Sequence, residues 1–276
     1  MSIAAKGAAS GNEASRRDTS GLSLSRILDT VTITKPAEVR AAAEALRDVA
    51  LDLGELVVAA CDNIASMKPV MDDEGNIIAE DVWEHNDSGR WWEAENLALA
   101  SPLTHGCRYE SEPFWVSADG FHTRAPNDYL DRIDLKDFRD RALCVAAIVV
   151  PVHLPFGQIG AASFGCRDRE RTDLSREFEL YADELGLYAR TFISSYAKVA
   201  RTHHWVPGGC VLSKREVECL RWAALGKTDK EIGMILERSH ATVRFHLNNA
   251  SDKLNSVNRG QTIFKAAQLG YLGQAN

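Results

Sequence analysis

Between residues 212 and 254 the chain carries three helix-start signals separated by short turns, a spacing that fits a small helical bundle and little else. Ser213 and Glu216 have capping-box spacing, in which each side chain satisfies a backbone N–H of the other. Val217, Leu220 and Ala224 then recur at helical intervals, and Gly226 sits where a left-handed stop is required. Thr228 and Glu231 repeat the box and open a second, short helix whose apolar positions are Ile232, Ile235 and Leu236. Glu237-Arg238 forms a turn. Ser239 then caps a third helix, predicted over 240–254, that buries Val243, Leu247, Ala250 and Leu254. Asn255 stops it, and Asn258 caps a fourth helix over 259–269, closed by Gly270.

Burying Val243, Leu247 and Ala250 leaves Arg244, Phe245 and Asn248 together on the opposite face of the third helix. In a major groove Arg reads guanine bidentately, Asn reads adenine, and an apolar group meets a thymine methyl. Thr228, Lys230, Thr242, His246 and Lys253 are placed to hold phosphates, which position a protein without reading sequence. Charge agrees with this reading. Residues 208–276 carry 10 Lys and Arg against 6 Asp and Glu, a net +4, on a chain of net charge −7, so residues 1–207 carry −11. A basic terminal unit on an acidic body is the electrostatic footprint of DNA binding. The excess is small enough that a homodimer on a palindromic double-stranded operator is expected.

The segment resembles the LuxR-type (GerE-type) helix-turn-helix. Arg221 to Thr228 and Phe245 to Ala250 are most similar to the quorum-sensing branch of that family. The resemblance implies a transcription regulator in which the positions of Arg244, Phe245 and Asn248 face bases. It also implies that the fourth helix, around Thr262, Ala266 and Leu269, is the dimer contact. Many relatives carry Lys or Arg where this chain has Asn248.

Length and composition frame the remainder. A chain of 276 residues with 45% apolar and 26% charged residues accommodates two units of an ordinary globular protein. The expected division is a disordered tail over 1–34, a sensor domain over 35–200, a linker over 201–210 and the DNA-binding domain over 211–276. No apolar run reaches the ~18 residues of a membrane span, and residues 1–20 lack the apolar segment of a signal peptide. A cytoplasmic protein without membrane contact is expected. Cys61, Cys107, Cys144, Cys166, Cys210 and Cys219 form no Cys-x-x-Cys pair, so neither a zinc ribbon nor a disulfide framework is indicated. Gly160 to Gly165 is one residue too long for a nucleophile elbow, and neither a P-loop nor a His-Glu-x-x-His motif occurs. No enzyme, catalytic residue, metal or cofactor is therefore expected.

Upstream of the linker, apolar residues from Val39 to Ile64 recur at helical spacing after Pro36, predicting one helix over 36–67 with Gly54 as a weak point. Asp72 to Asn76 is a turn. Residues 107–117 and 143–154 look strand-like. Pro155-Phe156-Gly157 turns the chain back into a strand over 158–166, 129–141 reads as a helix, and a long helix covers 173–199. The expected fold is α+β: an antiparallel sheet with packed helices, of PAS- or GAF-like shape, followed by the all-α four-helix unit.

Trp83, Trp91, Trp92 and Trp115 crowd into residues 83–115, near Phe114, Phe121 and Tyr129. Such a cluster suits an aromatic-walled pocket for a small molecule, and equally a sheet–helix core. Residues 88–165 resemble a diverged autoinducer-binding domain of LuxR-type quorum regulators. Glu112-Pro113-Phe114-Trp115 is similar to the family's Pro-Phe-x-Trp strand, and 148–152 with Phe156-Gly157 and Ala162-Ser163-Phe164 is similar to its central hairpin. The resemblance implies a ligand set of Trp92, Ser101, Phe114, Trp115, Ala147 and Ser163. Trp92 stands at a Tyr position, Ser101-Pro102 replaces Asp-Pro, and Ala147 replaces a glycine. In the family that Asp accepts a bond from the amide of an acyl-homoserine lactone. Neutral Ser101 offers a weaker acceptor than a charged one, which implies a LuxR solo type whose ligand differs from such lactones. The alternative is a ligand-independent DNA-binding dimer whose N-terminal domain serves dimerisation or a protein partner.

Overall fold

The apolar period after Pro36 builds a helix only as far as Gly54. The computed structural model describes residues 28–66, 68–83, 97–168, 170–200 and 210–273. In it, α1 (Val39–Gly54) ends with Glu55 in the left-handed region at φ 54°, and β1 (Leu56–Cys61) follows at once. The single helix expected over 36–67 is thus corrected to a helix and a strand. Leu-Val-Val-Ala-Ala-Cys is short and buried, and such a run satisfies helical and strand patterns alike.

β2 (Phe114–Ser117), β3 (Gly120–His122), β4 (Ala146–His153) and β5 (Ile159–Cys166) complete a sheet of order β1-β5-β4-β2-β3, with every neighbouring pair antiparallel. The sheet with its helices is the expected α+β arrangement. β4 is buried along nearly its whole length, and the hairpin turns at Pro155–Gly157, where Phe156 takes φ 69°.

One face of the sheet is covered by α1 and by α3 (Ser175–Ala200). Leu46 and Ala50 of α1, Leu185 and Phe192 of α3, and Val58, Ile148, Val150 and Phe164 of the sheet share this core. Trp83 belongs to it, 1% exposed, donating its indole N–H to the Ala43 carbonyl at 3.1 Å and meeting Phe192 edge-on at 5.9 Å between ring centres. Val31 and Ile33 are also core residues, and the Ile33 N–H donates to Ser195 Oγ at 3.1 Å. The tail expected over 1–34 therefore does not reach residue 34. Residues 1–27, and all but Cys210 of the expected linker, lie outside the described residues.

The opposite face carries a smaller core of Cys61, Phe114, Val116, Ala147 and Val149. α2 (Pro102–Gly106) and the short helix Phe138–Ala142 pack on it through Leu103, Cys107 and Phe138. The helix expected over 129–141 is broken into a short turn at Leu130–Arg132 and the helix Phe138–Ala142, because Asp137 takes positive φ. Likewise only 114–117 of the stretch 107–117 is a strand.

The C-terminal unit follows its cap signals closely: α4 (Lys214–Ala224), α5 (Asp229–Ile235), α6 (His240–Lys253) and α7 (Arg259–Gln268). Both capping boxes form, and Ser239 and Asn258 cap α6 and α7 through their side chains. Gly226, Asn255 and Gly270 take the left-handed conformation at the three stops. The two units touch where Gln268 Nε2 donates to the Phe156 carbonyl at 2.9 Å. No helix among the described residues is long and apolar enough to cross a membrane.

Trp83→Ala empties a large, fully packed site and removes a buried hydrogen bond. A loss of about 3–5 kcal/mol is expected for the N-terminal unit, measured by urea unfolding; a loss below about 1 kcal/mol would show that the site is not packed as described.

Candidate functional site

The outer face of α6 is the complement of its buried one. Val243, Leu247 and Ala250 point into the helical core with Leu220 and Ile232, and this turns Arg244, Phe245 and Asn248 outward. All three are exposed. Phe245 is 60% exposed, and an apolar ring left in water on a well-formed helix is informative because its burial would be favourable. It meets His246 edge-on at 5.6 Å between ring centres.

The residues expected to hold phosphates surround this face. Thr228, the cap of α5, gives its hydroxyl proton to Glu231 and accepts the Glu231 N–H, while Lys230 is exposed. Thr242 shares a 2.8 Å hydroxyl–hydroxyl bond with Ser239. Lys253 lies at the far end of α6, with Nζ 3.0 and 2.8 Å from the two carboxylate oxygens of Glu216. An ammonium has three donors, of which two serve the fold, and the Lys253 side chain stays 42% exposed.

Glu216 is the hinge of this contact. Its carboxylate closes the α4 capping box and binds Lys253, and its side chain is only 4% exposed. Burial raises its pKa, but the bonds from Lys253 and from the Ser213 backbone and side chain, with the charge of Lys253, outweigh burial and hold the carboxyl below 4.5. Lys265 is buried on α7, and its Nζ donates to the carbonyls of Leu254 at 3.1 Å and Asn255 at 2.6 Å. It thereby satisfies carbonyls at the end of α6, where a cation also suits the helix dipole. Thr262 and Ala266, expected at a dimer contact, are instead 2% and 0% exposed within their own unit, and Leu269 packs against the same core. The large apolar side chain that α7 presents outward is Phe264.

In the N-terminal unit the expected ligand set is split by the sheet. Successive strand residues point to opposite faces. Phe114 therefore enters the smaller core with Ala147, at a tilted 5.6 Å ring contact with Phe121, while Trp115 joins the helix-covered core and stacks on His122 at 3.8 Å. The reading of Phe114 and Trp115 as two walls of one pocket is corrected by this alternation. Trp83 also lies on the helix-covered side. Tyr129 is exposed and stacks on Tyr109. Trp91 and Trp92 lie outside the described residues.

Ser163 lies opposite Val149 in the β4–β5 ladder, on the Phe114 face, with its hydroxyl 3.5 Å from the Ala59 carbonyl. Ser101 is buried at the N-terminus of α2, but its hydroxyl does not cap that helix. The chain just before it is clamped by Arg141, whose Nε and Nη2 donate to the Ala100 carbonyl at 3.0 and 2.7 Å. Sequence reasoning missed Arg141, since its partners, apart from the Asp134 carboxylate, are backbone carbonyls that leave no mark in the sequence. Gly106 lies so close to Phe114 that a Cβ there would sit 2.6 Å from the ring. Burial pushes the Cys61 and Cys144 thiols up to about 12, as unreactive core sulfurs. Among the described residues no cluster of His, Cys, Asp and Glu could hold a metal.

Comparison with known proteins gives two family matches: the luxR family of bacterial regulatory proteins over residues 210–266, and the autoinducer binding domain over 90–196. The transcriptional activator protein VanR of Vibrio anguillarum is 35% identical over 127 residues, covering 46% of this chain and 52% of that protein. The transcriptional activator protein LuxR of Aliivibrio fischeri is 34% identical over 189 residues, covering 66% of this chain and 70% of that protein. The chain thus spans about half the length of VanR and more of LuxR. Among solved structures, SdiA in complex with octanoyl-rac-glycerol matches with a TM-score of 0.47 and 21% identity, over 94% of this chain and 98% of that one.

The lowered carboxyl of Glu216 makes a pH prediction. A carboxyl whose native pKa lies below its unfolded one stabilises the fold above the unfolded value, here 4.5, and that contribution is lost as pH falls through the native value. Urea unfolding of the C-terminal helices between about pH 3 and 6 should show stability falling below pH 4.5, with a shallower fall in Glu216→Gln. An unchanged slope would remove Glu216 as its source.

Proposed function

The chain belongs to the LuxR family of bacterial regulatory proteins, and on that premise we propose that it regulates transcription by binding double-stranded DNA through α6. The observation that carries this is the exposed trio Arg244, Phe245 and Asn248 on a helix whose other face is fully buried. Arg244 and Asn248 read base edges and Phe245 meets a thymine methyl. Thr228, Lys230, Thr242, His246 and the remaining donor of Lys253 hold phosphates. The protein acts in the cytoplasm as a homodimer on a palindromic operator with half-sites about one helical turn apart. Its part is binding rather than catalysis.

The N-terminal domain, 35–200 with the short segment before it, takes a small molecule on the sheet face lined by Phe114, Ala147 and Ser163. The autoinducer binding match over 90–196 supports this reading. Ser101 supplies a neutral hydroxyl where the family has a carboxylate, which favours a ligand without the amide of an acyl-homoserine lactone.

Two measurements test these readings. On a selected operator, Arg244→Ala should cost about 1–3 kcal/mol of binding and relax preference at one base pair, while an equal loss on random DNA would contradict base reading. Protein purified from cell extract should carry a small molecule detectable by mass spectrometry, and stripping it should lower Tm; no bound species and no thermal shift across a metabolite panel would refute the sensor role.

A further inference from the structure

Arg244 is exposed, yet it is not without direction. Its Nε lies 3.6 Å from Oδ2 of Asp229, the first residue of α5, and its Nη2 lies 3.3 Å from His240 Nε2. Asp229 is well shielded, with its side chain 17% exposed. Its other carboxylate oxygen, Oδ1, is taken by Nη1 of Arg259 at the start of α7, and Nη2 of Arg259 donates to the Lys227 carbonyl at 2.6 Å. The carboxylate is therefore held from behind by one arginine and faces a second.

We propose that Asp229 is a positioning residue that sets the pose of Arg244 and so the selectivity of this protein for the base that Arg244 reads. This rests on the base-reading role proposed above. Bidentate recognition of guanine needs two parallel N–H donors of the guanidinium. Asp229 stands on the Nε side and His240 meets Nη2, which leaves Nη1 and the second N–H of Nη2 for the base. Asp229 also denies the Nε side to phosphate oxygens by charge, so Arg244 is kept from serving as a mere backbone clamp. A long side chain ordered before binding loses less entropy when it meets the base.

Two opposite effects on DNA follow from the same carboxylate. A negative charge beside the interface weakens binding to any DNA, whereas the positioning of Arg244 strengthens binding only to the right sequence. Asp229→Asn should therefore leave random-DNA affinity unchanged or raised, while the ratio of operator to random-DNA affinity falls about five-fold. The substitution suits the fold, because Thr228 and Glu231 supply the α5 cap without Asp229 and an Asn Oδ1 still accepts from Arg259 Nη1. Asp229→Ser, also suited to a helix start, serves as the second variant, and thermal melts accompany both.

The decisive experiment is a double-mutant cycle on the full chain with Asp229→Asn, Arg244→Ala and the pair, scoring that affinity ratio. The expected result is a fall on Asp229→Asn in the presence of Arg244 and no further fall in the Arg244→Ala background. An equal fall in both backgrounds, or parallel losses on operator and random DNA, would overturn the positioning role and leave base reading by Arg244 intact. If Arg244→Ala itself left the ratio unchanged, base reading would fail and the positioning role with it.

Discussion

The pairing of β4 with β5, from Ala147 opposite Gly165 to His153 opposite Ile159, is the constraint on which the N-terminal unit turns. β4 is central and buried on both faces, so its register decides which residues reach the helix-covered core and which reach the smaller one. Sliding by one residue would exchange Ile148 and Val150 for Ala147 and Val149, and would invert β2 with them. The tight turn at Pro155–Gly157, with Phe156 in the left-handed region, pins that register at one end. Pro151, which has no N–H to donate, lies beyond the point where β2 stops pairing with β4. Separation of Phe114 from Trp115 and closure of the core by α1 and α3 both descend from this ladder.

The helical unit is held differently, by charges set at helix ends. Glu216 ties the start of α4 to the end of α6 through Lys253, and Asp229 ties the start of α5 to α7 through Arg259. α4 and α6 already pack face to face, so their charge pair fixes orientation more than it adds cohesion. Such cross-ties suit a unit whose outer surface must present a few side chains in a defined pose.

How much of this was legible in the sequence depended on whether the cause was local. Ser213, Thr228, Ser239 and Asn258 act within four residues of themselves, so the four C-terminal helices and the outward trio of α6 could be read directly. The run Leu56–Cys61 could not, because a strand with few polar interruptions carries the same apolar pattern as a helix. Asp137 broke a predicted helix by adopting positive φ without being glycine, which no local signal announces. The aromatic cluster at 83–129 was visible, but its partition between two faces required the strand bounds. The approach of Asp229 to Arg244 was invisible for a plainer reason: no local rule relates the first turn of one helix to the outer face of the next.

The buried ammonium of Lys265 has a mechanical consequence. By grasping the carbonyls of Leu254 and Asn255 it welds α7 to the end of α6, so neither helix can shift without carrying the other. The hairpin tip of the N-terminal sheet touches that same α7, at Gln268. The sheet and α6 are thus linked through α7, by Gln268 on one side and Lys265 on the other, as well as through the covalent chain.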